Sequence, residues 1–362
     1  MAHGGDIYRN KVNIDFSVNL NPLPVPGAVR EAAIAGLEKA SLYPDIKQDR
    51  VRNTLAALEG VTSGCVYSGS GASELIMACV RSVAPGKVLL CEPCYSGYLH
   101  ALRSVEAKGL SKQQGCRGSH GIDIREYRLN KANGFRIDRD ILDHMTEDTD
   151  LMFLTDPWNP TGNNIEDSLL SEILGRALAC HICVILDLSF LPMSDKVIGL
   201  PPFYEAELIN KYDNLFIIKS FTKLFALPGL RMGYVISSLS NITDIICLLP
   251  EWNLSSVAAE TMIACADVIK NTGHVCDSVS LIRREREYLT GALRQLGYTV
   301  YDSDTSFILL ETEQDLYYKL LGNGILIRDC SDYRGLGHNF YRIAVREHAS
   351  NEVLIRCLAS MA

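Results

Sequence analysis

The stretch from Asn214 to Tyr234, NLFIIKSFTKLFALPGLRMGY, places a lysine where it could do covalent chemistry. An apolar run over 215–218 has the length and composition of a buried strand, and Ser220, Thr222 and Lys223 follow it before a Pro228-Gly229 turn. The spacing predicts an amine at a strand's end, with two hydroxyls and Arg231 close by in the chain. A phosphorylated aldehyde needs that set: the amine condenses with the carbonyl, while the hydroxyls and the guanidinium hold the phosphate. A lysine after a strand is more often a solvated side chain, so the weight falls on what stands at the other strand ends.

Four more short apolar runs end in a polar group suited to the same ligand. Residues 65–67 lead into Ser68-Gly69-Ser70-Gly71-Ala72-Ser73-Glu74, a Gly-rich turn opening a helix whose free N–H groups can bind a phosphate. Residues 88–91 lead to Cys94-Tyr95, a ring on which a flat heterocycle could stack. Residues 151–154 precede Asp156-Pro157-Trp158-Asn159-Pro160-Thr161-Gly162, a rigid turn presenting an amide, and residues 183–186 end at the carboxylate of Asp187. Each has an ordinary explanation when taken singly. The Gly-rich turn could serve a nucleotide fold, although G-x-G-x-x-G spacing is missing; a tyrosine is usually core, and an acid after a strand usually caps a helix. Their coincidence at consecutive strand ends points to one site.

The elements that must position these groups form an α/β pattern. Near-continuous apolar strands, with a further one at 234–236, alternate with helices and predict a mostly parallel sheet covered on both faces, whose ligands gather at the strands' carboxyl ends. Before it come a turn-rich arm, Asn19-Leu20-Asn21-Pro22-Leu23-Pro24-Val25-Pro26-Gly27, and helical patterns over 28–39 and 49–58 separated by Tyr43-Pro44-Asp45. Beyond Trp252 a long amphipathic helix over 278–296 precedes short strands at 298–301, 307–310, 325–328 and 340–345, which read as a smaller α+β domain. The expected division is an N-terminal arm (1–30) joining the small domain, a large domain (31–250) and a small C-terminal domain (251–362). Arg328 and Arg342 fall in the small domain's strands, where an arginine in an apolar run calls for a bound anion or a buried acid.

Composition sets the outer limits. The chain has 362 residues and a formal net charge of -8, which argues against a general nucleic-acid surface and leaves anionic ligands to local arginines. No apolar run reaches the length of a membrane span and MAHGGDIYRN contains no apolar signal region, so a cytoplasmic protein is expected. The 12 cysteines then read as buried thiols. The isolated pairs Cys91/Cys94 and Cys180/Cys183 lack the second pair of a zinc site, so no metal is expected.

With these residues in view the chain resembles the fold-type I, pyridoxal-phosphate-dependent aminotransferase superfamily, through S-x-T-K at Lys223, G-L-R-x-G-Y after it, N-P-T-G at Asn159 to Gly162, and Asp187. Within it the sequence is similar to the histidinol-phosphate aminotransferases and to their offshoot, the L-threonine-O-3-phosphate decarboxylases of cobalamin biosynthesis. His3-Gly4-Gly5, Ile325-Leu326-Ile327-Arg328-Asp329-Cys330 with Tyr333, Tyr341-Arg342-Ile343-Ala344-Val345-Arg346, and Phe190 in place of a usual tyrosine lean toward the decarboxylases. It departs at Leu188 and Ser189, within the family's D-E-A-F/Y pattern, and at Ser255, where the family carries asparagine.

The resemblance implies roles. Lys223 holds pyridoxal 5'-phosphate, Asp187 pairs with its ring nitrogen, Asn159 donates to its phenolate oxygen and Tyr95 stacks on the ring. Ala72, Ser73, Ser220, Thr222 and Arg231 hold its phosphate, and Tyr43 reaches the phosphate of a neighbouring subunit, which makes a homodimer the expected unit. Arg342 takes the substrate's α-carboxylate; His3 and Arg328 are the candidates for a second anion, the phosphate of a small amino-acid substrate. The leading expectation is decarboxylation of L-threonine O-3-phosphate. The alternative is transamination of histidinol phosphate or a related amine; a non-catalytic, cofactor-binding regulatory protein is a third reading, disfavoured because Lys223, Asp187, Asn159 and Arg342 are all present.

Overall fold

A computed structural model describes residues 4–106 and 121–361. His3, one of the two candidates for the second anion, lies outside the described residues. At its centre is a seven-stranded sheet of β1 (Val66–Ser70), β2 (Lys87–Glu92), β3 (Asp123–Arg128), β4 (Leu151–Thr155), β5 (Cys183–Asp187), β6 (Leu215–Ser220) and β7 (Met232–Ile236). Their spatial order is β1-β7-β6-β5-β4-β2-β3. β7 runs antiparallel to both neighbours, and the other pairings are parallel. β4 is buried along its whole length, and β5 and β6 are buried except at one residue each, because helices cover both faces of the sheet.

The six strands expected from apolar runs are all present, most of them one or two residues longer than the run. β3 is the addition. Its sequence, Asp123-Ile124-Arg125-Glu126-Tyr127-Arg128, is mostly charged because it is the edge strand and one side faces water.

Past the sheet a four-stranded layer of β8 (Thr299–Val300), β9 (Phe307–Glu311), β10 (Arg328–Asp329) and β11 (Phe340–Ala344) is ordered β10-β11-β9-β8. The single strand expected over 325–328 is two. Ile325–Leu326 pairs in parallel with Ile14–Asp15 of the N-terminal arm, and Arg328–Asp329 turns away to pair with β11. The two pieces bond to different partners, which separates their ladders at Ile327.

Two apolar cores result. The larger surrounds the sheet and takes in Met262 and Cys265 of the helix Ser256–Asn271; the smaller gathers Phe16, Ile308, Ile343 and Leu354. The helix His274–Gln295 serves both, with Ile282 in the first and Leu289 and Leu293 in the second. The arm ties them together. The Phe16 carbonyl accepts from the Ala344 N–H at 2.8 Å, the Asn21 N–H donates to the Lys223 carbonyl at 3.0 Å, and the Asn21 amide reaches the Leu224 carbonyl at 2.7 Å.

Candidate active site

The carboxyl ends of β1, β4, β5 and β6 surround a cavity of about 150 Å³ lined by Ser73, Tyr95, Asn159, Asp187, Lys223 and Arg231, among others. The sheet rule therefore brings the separated strand-end residues into one place. Lys223 sits in the short helix Phe221–Leu224, entered directly from β6 and capped by Ser220, whose hydroxyl accepts from the Thr222 N–H at 3.2 Å. Burial, then the charges of Arg342 and Arg231, lower the Lys223 pKa from 10.5 to about 8, so the amine is far more often neutral than an ordinary lysine.

At the other side of the cavity the helix Ala72–Val83 opens with no side-chain cap, leaving its first N–H groups to a ligand. Gly71 precedes it at φ +83°, and a Cβ there would lie 2.6 Å from Nη2 of Arg231. The glycine thus lets that guanidinium close over the helix start. Ser220 and Thr222 both donate to the Met232 carbonyl, at 2.9 and 3.3 Å, within the same cluster. Hydroxyls, an uncapped helix start and a guanidinium packed against glycine form a cradle that fits a phosphate.

Asp187 ends β5 and is buried. Its Oδ1 accepts from the Ser189 N–H at 2.9 Å and its Oδ2 from the Tyr98 hydroxyl at 3.0 Å. Burial pushes its pKa up, and the hydrogen bonds from Ser189 and Tyr98, with the charge of Lys223, pull the other way. Asn159 is held on the rim by its turn, where the Trp158 indole donates to the Pro93 carbonyl at 2.7 Å. Its Oδ1 accepts from Nη1 of Arg342 at 2.5 Å. A guanidinium only donates, so this contact fixes the amide's orientation and leaves its NH₂ as the donor available to a ligand. Tyr95 stands over the cavity with its hydroxyl 3.3 Å from the Ser73 hydroxyl.

Arg342 is buried on β11, with Nη2 donating to the Ser17 carbonyl at 3.2 Å and Nη1 lying 3.3 Å from the Tyr333 hydroxyl. Its Nε has no partner among the described residues. Arg328 stands directly opposite it in the β10/β11 ladder and lines an adjoining vestibule of about 500 Å³. There it pairs with Asp332 at 2.7 Å, alongside Arg103 and Arg334, and the vestibule shares Ser73 and Tyr95 with the cavity at the strand ends.

Of the residues predicted to hold the cofactor, Tyr43 alone does not line the cavity of its own chain, and neither Arg328 nor Arg342, predicted for the substrate, lines it. Tyr43 is 84% exposed, with its ring 5.1 Å from that of Trp252. Tyr98, Thr155 and Ser189, which line the cavity, carry no sequence signal of their own, since each reads as an ordinary core or turn residue. Spacing offered one hint: Tyr98 lies one helical turn beyond Tyr95.

Comparison with known proteins agrees with this geometry. The chain is 30% identical to the threonine-phosphate decarboxylase of Salmonella typhimurium, over 99% of this chain and 96% of that protein. It is also 30% identical to histidinol-phosphate aminotransferase 2 of Archaeoglobus fulgidus, over 97% and 94%. Among solved structures the histidinol-phosphate aminotransferase of Clostridium acetobutylicum superposes with a TM-score of 0.83 at 26% identity, covering 96% of this chain and 98% of that one. Residues 11–358 match the family Aminotransferase class I and II, to which this chain belongs.

Proposed function

We propose that the protein is a pyridoxal-phosphate-dependent decarboxylase of a phosphorylated amino acid, converting L-threonine O-3-phosphate to (R)-1-aminopropan-2-ol O-phosphate and CO2 in cobalamin side-chain synthesis. Pyridoxal phosphate bound through Lys223 supplies an electron sink for the bond broken at the substrate's α-carbon. The phosphate cradle, the donor face of Asn159 and the Asp187 carboxylate fit the three polar ends of that cofactor.

Arg342 carries the substrate reading. A buried guanidinium whose Nε lacks an acceptor is costly alone and satisfied by a carboxylate. Arg328, opposite it on the neighbouring strand, turns its charge into the vestibule; like charges directly opposed repel, so a site built this way suits a substrate with two anions. Threonine phosphate has both and histidinol phosphate only the phosphate, but the 2-oxoglutarate of an aminotransferase also carries two anions, so turnover without a keto acid separates the two activities. Arg342 thereby orients the α-carboxylate, and that orientation selects which α-bond breaks. His3 completes the second anion site in this reading.

The same reading makes the active unit a homodimer with Tyr43 contributed across the interface. Tyr43, Leu42, Leu37 and Ile34 are 84%, 68%, 65% and 54% exposed, a concentration of apolar surface that a second subunit would cover. It also places the enzyme in the cytoplasm, where 12 thiols persist reduced; no helix among the described residues is long and apolar enough to cross a membrane. Purified holoenzyme given L-threonine O-3-phosphate without a keto acid should release CO2 and aminopropanol phosphate. No product there, together with turnover of histidinol phosphate plus 2-oxoglutarate, would establish the aminotransferase instead.

A further inference from the structure

Tyr98 occupies a position that none of the cofactor-holding roles above accounts for. It lies on the helix Ser96–Glu106, one turn after Tyr95, and its ring is fully buried, stacked on Phe153 of β4 at 4.6 Å between centroids and 17° between planes. Phe153 and Thr155 are two apart on one strand and so share a face of the sheet. Thr155 and Asp187 are register partners across the β4/β5 ladder, side by side on that face. The stacked ring therefore carries its hydroxyl to the gap between them, 2.7 Å from Oγ1 of Thr155 and 3.0 Å from Oδ2 of Asp187.

The order of donors is decided by proton count. A phenol has one O–H, and it points at Asp187. Thr155 must then supply its own proton to the phenolic oxygen, and the relay runs in one direction, Thr155 to Tyr98 to Asp187. Its terminal acceptor is a carboxylate oxygen, so the relay is complete when Asp187 is ionised. With the Ser189 N–H on Oδ1, each carboxylate oxygen has one fixed donor and a remaining lone pair. The rotation of the group is thus fixed before any ligand arrives.

We infer that Tyr98 is the positioning residue of the cofactor's nitrogen site: backed by Thr155, its hydroxyl holds Asp187 oriented and ionised, ready to meet a protonated ring nitrogen. Its contact with Tyr95, edge to face at 5.5 Å, ties the same helix turn to the ring-stacking residue. The direction of the titrations agrees. Burial and the neighbouring Asp187 hold the Tyr98 hydroxyl well above its ordinary pKa, which keeps it a donor, and its hydrogen bond offsets part of the burial that raises Asp187.

The inference rests on the cofactor, whichever α-bond breaks, and the test isolates the nitrogen. Apo-protein is titrated with pyridoxal phosphate and with an analogue carrying carbon in place of the ring nitrogen, and binding is read from the visible absorption of the lysine-bound form. Tyr98→Phe keeps the stacked ring and removes only the hydroxyl. It should weaken pyridoxal phosphate about tenfold, the loss expected for a hydrogen bond to a charged group, and change affinity for the analogue less than twofold. Equal losses with both, or none with pyridoxal phosphate, would overturn the assignment. Thr155→Val, which removes the proton behind Tyr98, should show the same selectivity at about threefold; an unselective loss or none would again count against it. Failure of the wild-type protein to bind pyridoxal phosphate would instead sink the cofactor reading.

Discussion

Lys223 owes its reactivity to its surroundings. Only the free amine condenses with an aldehyde, and a pKa lowered by burial, Arg342 and Arg231 to about 8 leaves about a quarter of it neutral at pH 7.5, against roughly a thousandth for an ordinary lysine. A depressed lysine pKa means the neutral form gains as pH rises through the folded value. The rate at which apo-protein captures pyridoxal phosphate should therefore climb about tenfold per pH unit below 7 and level off near pH 9. A profile still rising at pH 10 would show a lysine with an ordinary pKa. The residues proposed to hold the cofactor, Lys223, Asp187, Asn159 and Arg231, were legible in the sequence because chemistry limits their type, the first three follow strands and Arg231 lies in the turn after Lys223. Tyr98 and Ser189 bond to Asp187 instead, and apart from the one-turn spacing of Tyr98 from Tyr95 no feature of their type or position distinguishes them from packing residues.

Among the elements, β6 carries a lysine of its own, Lys219, whose side chain is mostly enclosed. Lys219 Nζ lies 2.9 Å from Glu59 and 2.5 Å from Glu205, and the Tyr234 hydroxyl donates to Glu59 at 2.5 Å. This closes the helix Asp49–Glu59 and the helix Tyr204–Lys211 onto the strand that leads to Lys223. Lys219→Met leaves two carboxylates buried without their cation and should cost about 3–5 kcal/mol at pH 8. An acid whose folded pKa is raised loses stability as pH rises from its unfolded value through the folded one. Burial holds Glu59 up at about 7 even beside the lysine, whereas at Glu205 burial is outweighed by the lysine, which holds the carboxyl below its ordinary value; removal of the lysine raises both acids, so the deficit should shrink at pH 5. Chemical denaturation at the two pH values measures it, and a deficit independent of pH would rule out this origin. The strand itself was evident from its apolar run. β3 was not, because an edge strand with alternating charge has the composition of a loop until its neighbour β2 pairs with it.

On the scale of the whole molecule, a chain of net charge -8 gathers arginines around one opening, with Arg231 at the cofactor cavity and Arg103, Arg328 and Arg334 at the vestibule. Anions are thus attracted locally against the overall charge. The apolar face around Tyr43 includes Ile34 and Leu37, three apart on the helix Gly27–Glu38 and so on one side of it. If the proposed dimer forms through this face, Leu37→Glu should shift sedimentation from dimer toward monomer and lower cofactor retention in proportion. A monomeric wild-type protein with full cofactor occupancy would remove the cross-subunit role given to Tyr43. The α/β order of the chain was readable because each strand sits near its ligand group in sequence. The pairing of the arm with Ile325–Leu326 joins residues more than 300 apart, which no local pattern records.

That arm has a mechanical consequence. Its segment from Phe16 to Asn21 is spliced into both bodies, through the Phe16 and Ser17 carbonyls to β11 and Arg342 at one end and through Asn21 to the carbonyl of Lys223 at the other. Moving the small sheet relative to the large one would therefore stretch or break backbone bonds whose far end lies beside Lys223. The two cores are tied there by six residues of backbone, Phe16 to Asn21.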